Sequence, residues 1–254
     1  MAKENNQPAW VLFIISALLL IGGWFFSSFP ILIFFGFAPL FALTDRADHT
    51  SGIWEKVEWI LFALVVSFFA ASAFDVSRIV SSMVYAILFT LPFVGHVWVR
   101  HVLGRRAGKI TIILLWLTLE YLFLKLYPTR SIYLADALLQ KTGWTSWNRD
   151  TGYLGASLWV LMVNLLVYHT VFSKTALTWY WIVLAIVALV APIIYAYTQP
   201  QDLTRADMLN LYTSTNPSGN VTYLARGEFV VRTAAWISTL IVLFTIVKDR
   251  TARK

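Results

Sequence analysis

The sequence predicts an all-α, polytopic membrane helix bundle of about eight transmembrane helices, with the N- and C-termini cytoplasmic. The 254 residues are 59% hydrophobic and only 13% charged, with a mean hydropathy of +0.69, far too apolar for an average soluble domain. The apolar residues come in continuous runs rather than in alternation, which excludes a transmembrane β-barrel. When eight runs are threaded through a bilayer, 12 of the 20 Lys and Arg residues fall on the side of the two termini. The positive-inside rule makes that side the cytoplasm.

The net charge of +7 does not mark a nucleic-acid binder, because the basic residues sit in short inter-helix segments rather than along one face. Cysteine is absent, which removes disulfides, thiolate metal sites and a cysteine nucleophile.

Taken in order, Trp10 to Phe26 is a first span that is kept, since no small-residue cleavage site follows it. Ser27, Ser28 and Pro30 make a turn. Ile31 to Leu43 is short for a span of roughly 20 residues, so a thin, tilted or shielded second helix is expected. A polar link, Thr44 to Lys56, leads to a third helix over Val57 to Ala73, and Asp75 and Arg78 bracket the turn into a fourth, Ile79 to Val99, with Pro92 inside it. Arg100, His101, Arg105, Arg106 and Lys109 form the most basic loop. Helix five is expected from Ile110 to Tyr127, helix six from Tyr153 to Phe172, helix seven from Thr175 to Tyr197 and helix eight from Phe229 to Val247. No repeat, low-complexity tract or linker divides the chain, so residues 1–254 are read as a single transmembrane domain with two long outward loops, 128–152 and 198–228.

The candidate site is built on helices five and six. On helix five, Trp116, Glu120 and Tyr127 share a face, and a carboxyl so deep in an apolar segment costs a few kcal/mol unless it meets protein or water. On helix six, Ser157, Asn164 and Tyr168 share a face, and Gly152 and Gly155 leave room for a neighbouring backbone. Between them the 128–152 loop mixes Arg130, Trp144, Trp147 and Arg149, the aromatic and cationic types that meet lipid headgroups. Trp116, Glu120, Arg130, Trp144, Trp147, Arg149, Ser157 and Asn164 are thus the expected lipid- or partner-binding residues of an outward-opening groove, with Glu120 and Asn164 facing each other, another helix or a wet cavity. Each also has a plainer reading, with Glu120 a packing hydrogen bond and Ser157 and Asn164 interhelical polar contacts. No metal site is expected, because His96 and His101 stand about 140° apart round a helix and His49, near Asp45 and Asp48, lies in a loop. No catalytic or cofactor-binding fingerprint is present.

The run Trp116-Leu-Thr-Leu-Glu120, then Tyr127-Pro128, Gln140, and Thr151-Gly152-Tyr-Leu-Gly155-Ala-Ser157 continuing to Asn164, resembles the membrane domain of apolipoprotein N-acyltransferase. Phe29-Pro30 and Phe37-Ala38-Pro39-Leu40 are similar to its first helices. The resemblance implies an eight-span protein of the bacterial inner (cytoplasmic) membrane that meets phospholipid or lipoprotein. Departures are also present: Phe123 stands where the family has arginine, and Thr129 where it has tryptophan. The family inserts a nitrilase-like catalytic domain, with a glutamate, a lysine and a thioester-forming cysteine, between helices seven and eight. Here that place holds the 31 residues from Thr198 to Glu228. The stretch Asn220 to Trp236 is similar to a remnant of the insert's exit strand and final helix.

The expected function is therefore a non-catalytic, lipid- or lipoprotein-binding partner of other membrane or envelope proteins in lipoprotein maturation or export. The alternatives are the membrane half of a split acyltransferase, an acyltransferase with a non-cysteine mechanism, and a small transporter. No cofactor and no nucleic-acid partner are expected.

Overall fold

The computed structural model describes residues 8–26, 29–46, 53–104, 108–126, 133–172, 179–199 and 221–252. Among them every regular element is helical: α1 Ala9–Phe25, α2 Ile33–Gly36, α3 Ala38–Arg46, α4 Ile53–Ala71, α5 Ile79–Leu103, α6 Ile110–Leu126, α7 Asn148–Thr151, α8 Gly155–Val171, α9 Trp179–Tyr197 and α10 Val221–Ala252, with 3-10 turns at Pro30–Leu32, Val76–Arg78 and Leu134–Trp144. Three stretches, Val76–Leu103, Trp179–Tyr197 and Phe229–Thr251, are long and apolar enough to cross a bilayer. The chain is a membrane protein. Its contacts divide it into two units, Met1–Val97 with Val160–Leu189, and Trp98–Trp159 with Val190–Lys254.

In the first unit, hydropathy cannot say which side of α1 packs, because both sides are apolar; the small residues decide it. Trp10, Ile14 and Leu18, one turn apart, are 51%, 41% and 64% exposed, whereas Leu12, Ser16, Leu20 and Gly23 are buried. The buried stripe lies against α4 and the α2–α3 segment. A Cβ at Gly23 would stand 2.8 Å from the Ile33 backbone nitrogen, so only glycine permits this approach. Ser16 Oγ donates to the Gly36 carbonyl at 2.6 Å across the same seam.

The second apolar run is not one thin helix but two short ones, meeting at Phe37. Pro39 has no N–H, and its ring crowds the carbonyl four residues back, which favours a break at this point. Beyond α4 the chain turns through Ala73 and Phe74, both at φ 57, a left-handed conformation that costs a residue with a side chain roughly 1–2 kcal/mol. Asp75 then accepts from the Ser77 N–H at 3.0 Å and the Ser77 hydroxyl at 2.7 Å, starting the turn into α5. Those two bonds hold the Asp75 carboxyl below the usual carboxylate range. α5 continues through Pro92.

In the second unit, α10 runs along α6 and reaches α7. Thr118 Oγ1 and Ser238 Oγ join α6 to α10 at 2.9 Å, and Ser146 Oγ donates to the Ala196 carbonyl at the end of α9 at 2.5 Å.

Two expectations are corrected here. The 128–152 segment is not simply a polar interfacial loop: Tyr133, Leu134, Ala135 and Leu138 are buried and the chain coils from Leu134 to Trp144 and again in α7. Nor do the described residues of the stretch Asn220 to Trp236 include an exit strand, since α10 already runs from Val221. A lone strand would leave its backbone groups unpaired, whereas a helix satisfies its own.

Candidate functional site: a capped helical segment and a bracketed helix break

Glu120 lies on the buried face of α6, one turn beyond Trp116, and both are closed off from solvent. Its Oε1 accepts the Leu134 backbone N–H at 2.9 Å; Ser157 and Trp116 stand beside the same carboxyl, whose Oε2 has no hydrogen-bond partner among the described residues. Ser157 Oγ in turn accepts the Ala135 N–H at 3.1 Å. Asp136 reaches back to accept the Tyr133 N–H at 2.9 Å, and its other oxygen accepts the Tyr153 hydroxyl. Three successive amides at the start of a helical coil thus find three side-chain acceptors. The first N–H groups of any helix lack an internal partner and carry its positive end, so carboxyl acceptors suit them.

The glycine pattern before α8 makes this possible. Gly152 has φ +78, a conformation favourable to glycine, and it turns the chain from α7 into Tyr153. At Gly155 a Cβ would run into the Thr151 side chain and stand 3.3 Å from the Trp147 ring. Two residues later the first turn of α8 delivers Ser157. Each polar or small residue of this motif therefore has a local mechanical task.

Asn164, two turns further along α8, belongs to the first unit and does different work. Its Oδ1 accepts the N–H groups of Phe37 at 2.8 Å and Ala38 at 3.1 Å, and its Nδ2 donates to the carbonyls of Ile33 at 2.9 Å and Val160 at 2.8 Å. All four hydrogen-bonding positions of the carboxamide are used. It straddles the break between α2 and α3, where buried backbone groups need partners from outside the helix.

Trp147 is not presented outward: it is 8% exposed, its indole N–H donates to the Trp144 carbonyl at 3.0 Å, and its ring meets Trp159 edge-on at 5.7 Å. Trp144 is half-buried. Arg130, Tyr127 and the Arg149 side chain lie outside the described residues. The structure thus gathers Trp116, Glu120 and Ser157 into one cluster, with Trp147 beside Gly155, and gives Asn164 a separate set of partners. Asp136 and Tyr153 join the first cluster without having been singled out, although an acid three residues into a helix, reaching back to the residue before it, is a capping signal readable in sequence. Among the described residues no three His, Asp or Glu side chains are grouped to hold a metal ion.

No family model, curated protein or solved structure matches the chain.

Proposed function

We propose that this protein is a non-catalytic relative of the membrane domain of apolipoprotein N-acyltransferase. It spans the bacterial inner membrane eight times with both termini in the cytoplasm, holds phospholipid or lipoprotein at the outward mouth formed by the 128–152 segment, and serves other envelope proteins in lipoprotein maturation or export. The observation that carries this reading is the use made of the resembling residues. Trp116, Glu120 and Ser157 converge on the start of the outward segment, with Glu120 Oε1 and Ser157 Oγ accepting its amides, so one oxygen of the carboxyl is taken up in positioning that segment, which supports a structural use of Glu120. The absence of cysteine supports the same reading, because a thioester intermediate needs a thiolate.

The test uses the purified full chain in nanodiscs with a diacylated lipopeptide and phospholipid, followed by mass spectrometry. Retention of the lipopeptide without a mass gain of one acyl chain is expected. An acyl gain would overturn the non-catalytic assignment, and absence of retention would overturn the binding assignment.

A further inference from the structure

The apolar stretches of the chain fall into two length classes, and the short ones keep together. Ala9–Phe25, Pro30–Thr44, Val57–Ala71 and Gly155–Val171 reach 17 residues at most, a rise of about 25 Å as α-helix. Packing joins them: α1 lies against α2, α3 and α4, and Asn164 ties α8 to the α2–α3 break. α1 and α4 run side by side with their ends level, because the ring of Phe13 meets Trp59 at 5.3 Å, Trp24 meets Phe68 at 5.6 Å and Phe25 meets Phe74 at 5.2 Å. The exposed residues Glu58 and Asp75 bracket the apolar stretch of α4, with no charged residue between them.

The hydrocarbon layer of a bilayer is about 30 Å thick, so this group is roughly 5 Å too short for it. A span that is too long can tilt, as the 25-residue α5 can, but a short one cannot lengthen, and tilting shortens it further. The mismatch falls on the surroundings of the group, since Trp10, Leu18 and Phe26 along α1 and Phe62 on α4 are 51%, 64%, 55% and 55% exposed. The ends cannot make up the difference by reaching outward. Trp10, Phe25, Phe26 and Phe74 have no long charged arm to extend to the headgroups, as a lysine or arginine would.

We propose that the four short segments form a membrane-thinning face, which draws the two leaflets roughly 5 Å closer and fits lipids with short acyl chains. The proposal rests on these segments crossing the bilayer, as the eight-span reading has them, and not on lipoprotein binding. Full-length protein is reconstituted in phosphatidylcholine vesicles whose monounsaturated chains are graded in length from myristoleoyl to erucoyl, and its thermal unfolding is followed. Highest stability in myristoleoyl or palmitoleoyl vesicles is expected, and a maximum in oleoyl or longer lipid would overturn the proposal. Nitroxides at Trp10→Cys and Phe26→Cys, near the two ends of the exposed side of α1, give a local readout. A bilayer that thins to meet the protein leaves each label as open to a water-soluble relaxation agent in oleoyl as in palmitoleoyl vesicles. A several-fold loss in the thicker lipid means that the ends sink into hydrocarbon instead, which sinks the idea. Labels closed to both the water-soluble agent and dissolved oxygen mean that protein, not lipid, covers the face, which equally rejects it. In spheroplasts an impermeant maleimide should reach Phe26→Cys and spare Trp10→Cys. Labelling of both ends the spanning reading and the thinning with it, whereas the expected labelling combined with nitroxides that close in thick lipid ends the thinning alone.

Discussion

The Glu120 carboxyl accepts the Leu134 backbone N–H at 2.9 Å, joining a residue inside an apolar helix to the first turn of the segment that follows it. This bond separates two effects of substitution. Glu120→Gln keeps an acceptor oxygen and is expected to fold with a nearly unchanged melting temperature. Glu120→Ala leaves the Leu134 N–H buried without an acceptor and should lose about 1–3 kcal/mol. Thermal unfolding of both variants in the same detergent checks this; equal losses would mean the bond is not what Glu120 supplies. If the 128–152 mouth binds lipid, Glu120→Gln will also test whether the charge, and not only the cap, matters for lipopeptide retention.

Asn164→Leu removes the bracket across the α2–α3 break and leaves the Phe37 and Ala38 amides and the Ile33 carbonyl without their side-chain partner. A loss of about 2–4 kcal/mol is expected, less than the count of bonds implies because an unfolded chain in a membrane also finds partners. Asn164→Asp keeps the two acceptor bonds and loses the two donor bonds, so an intermediate melting temperature is expected. A variant series in which Asp is no better than Leu would contradict the assigned bonding.

Gly23→Ala tests the seam in the first unit. The added methyl meets the Ile33 backbone, which cannot rotate away as a side chain would, and overpacking of this kind costs about 1–3 kcal/mol. Trp10→Ala on the exposed stripe of the same helix should change stability far less, and equivalent losses at the two positions would reject the packing face described.

At the α4–α5 turn, Ala73→Gly relieves a left-handed alanine and is expected to stabilise by about 0.5–1 kcal/mol after glycine's own entropy cost. The neighbouring Asp75 cap has an acid limit. Its carboxyl is held low by the Ser77 bonds, so the cap is intact above the ordinary carboxylate range and is lost as pH falls through the lowered folded-state value. Hydrogen exchange at the Ser77 amide, corrected for intrinsic rates, should therefore quicken only in strong acid, and quickening near neutrality would be the contrary result.

The proposed eight-span topology is open to cysteine labelling without background, because the chain has none. Asp150 and Ser77 are exposed and lie on the outward side in this arrangement, whereas His101 is exposed on the cytoplasmic side. Ser146 is a poor reporter despite its place in the same outward segment, being 5% exposed and bonded to the Ala196 carbonyl. A membrane-impermeant maleimide should label Asp150→Cys and Ser77→Cys in intact spheroplasts and spare His101→Cys; the opposite pattern would invert the topology.

What could be read in the sequence divides along a physical line. The apolar runs placed the helices because hydropathy is local, and Glu120 and Asn164 stood out because a polar group in hydrocarbon has to be answered by something. What answered them was hidden: both meet backbone amides, which are the same at every residue and leave no mark in a sequence. The break at Phe37 was legible only as shortness, although Pro39 favours a break there. Trp147 illustrates the converse, since a tryptophan among charges reads as interfacial whether its ring faces headgroups or, as here, Trp159. The last apolar stretch begins at Phe229, as its hydropathy predicts, while the helix that carries it begins earlier, at Val221, because Thr222 and Arg226 interrupt the apolar run without interrupting the helix.

The α2–α3 break also orders events during synthesis. Ala38 leaves the ribosome 126 residues ahead of Asn164, a delay of roughly 6 to 25 seconds at usual elongation rates. Throughout that interval the second segment carries two amides whose acceptor does not yet exist, and hydrocarbon offers no water in its place. If the segment spans the bilayer as proposed, those amides need a local helical bond or shelter in the translocon until α8 has emerged. A ribosome stalled before residue 164 should hold the first two segments in a state still open to crosslinking with the insertion machinery, and release of the complete chain should close it.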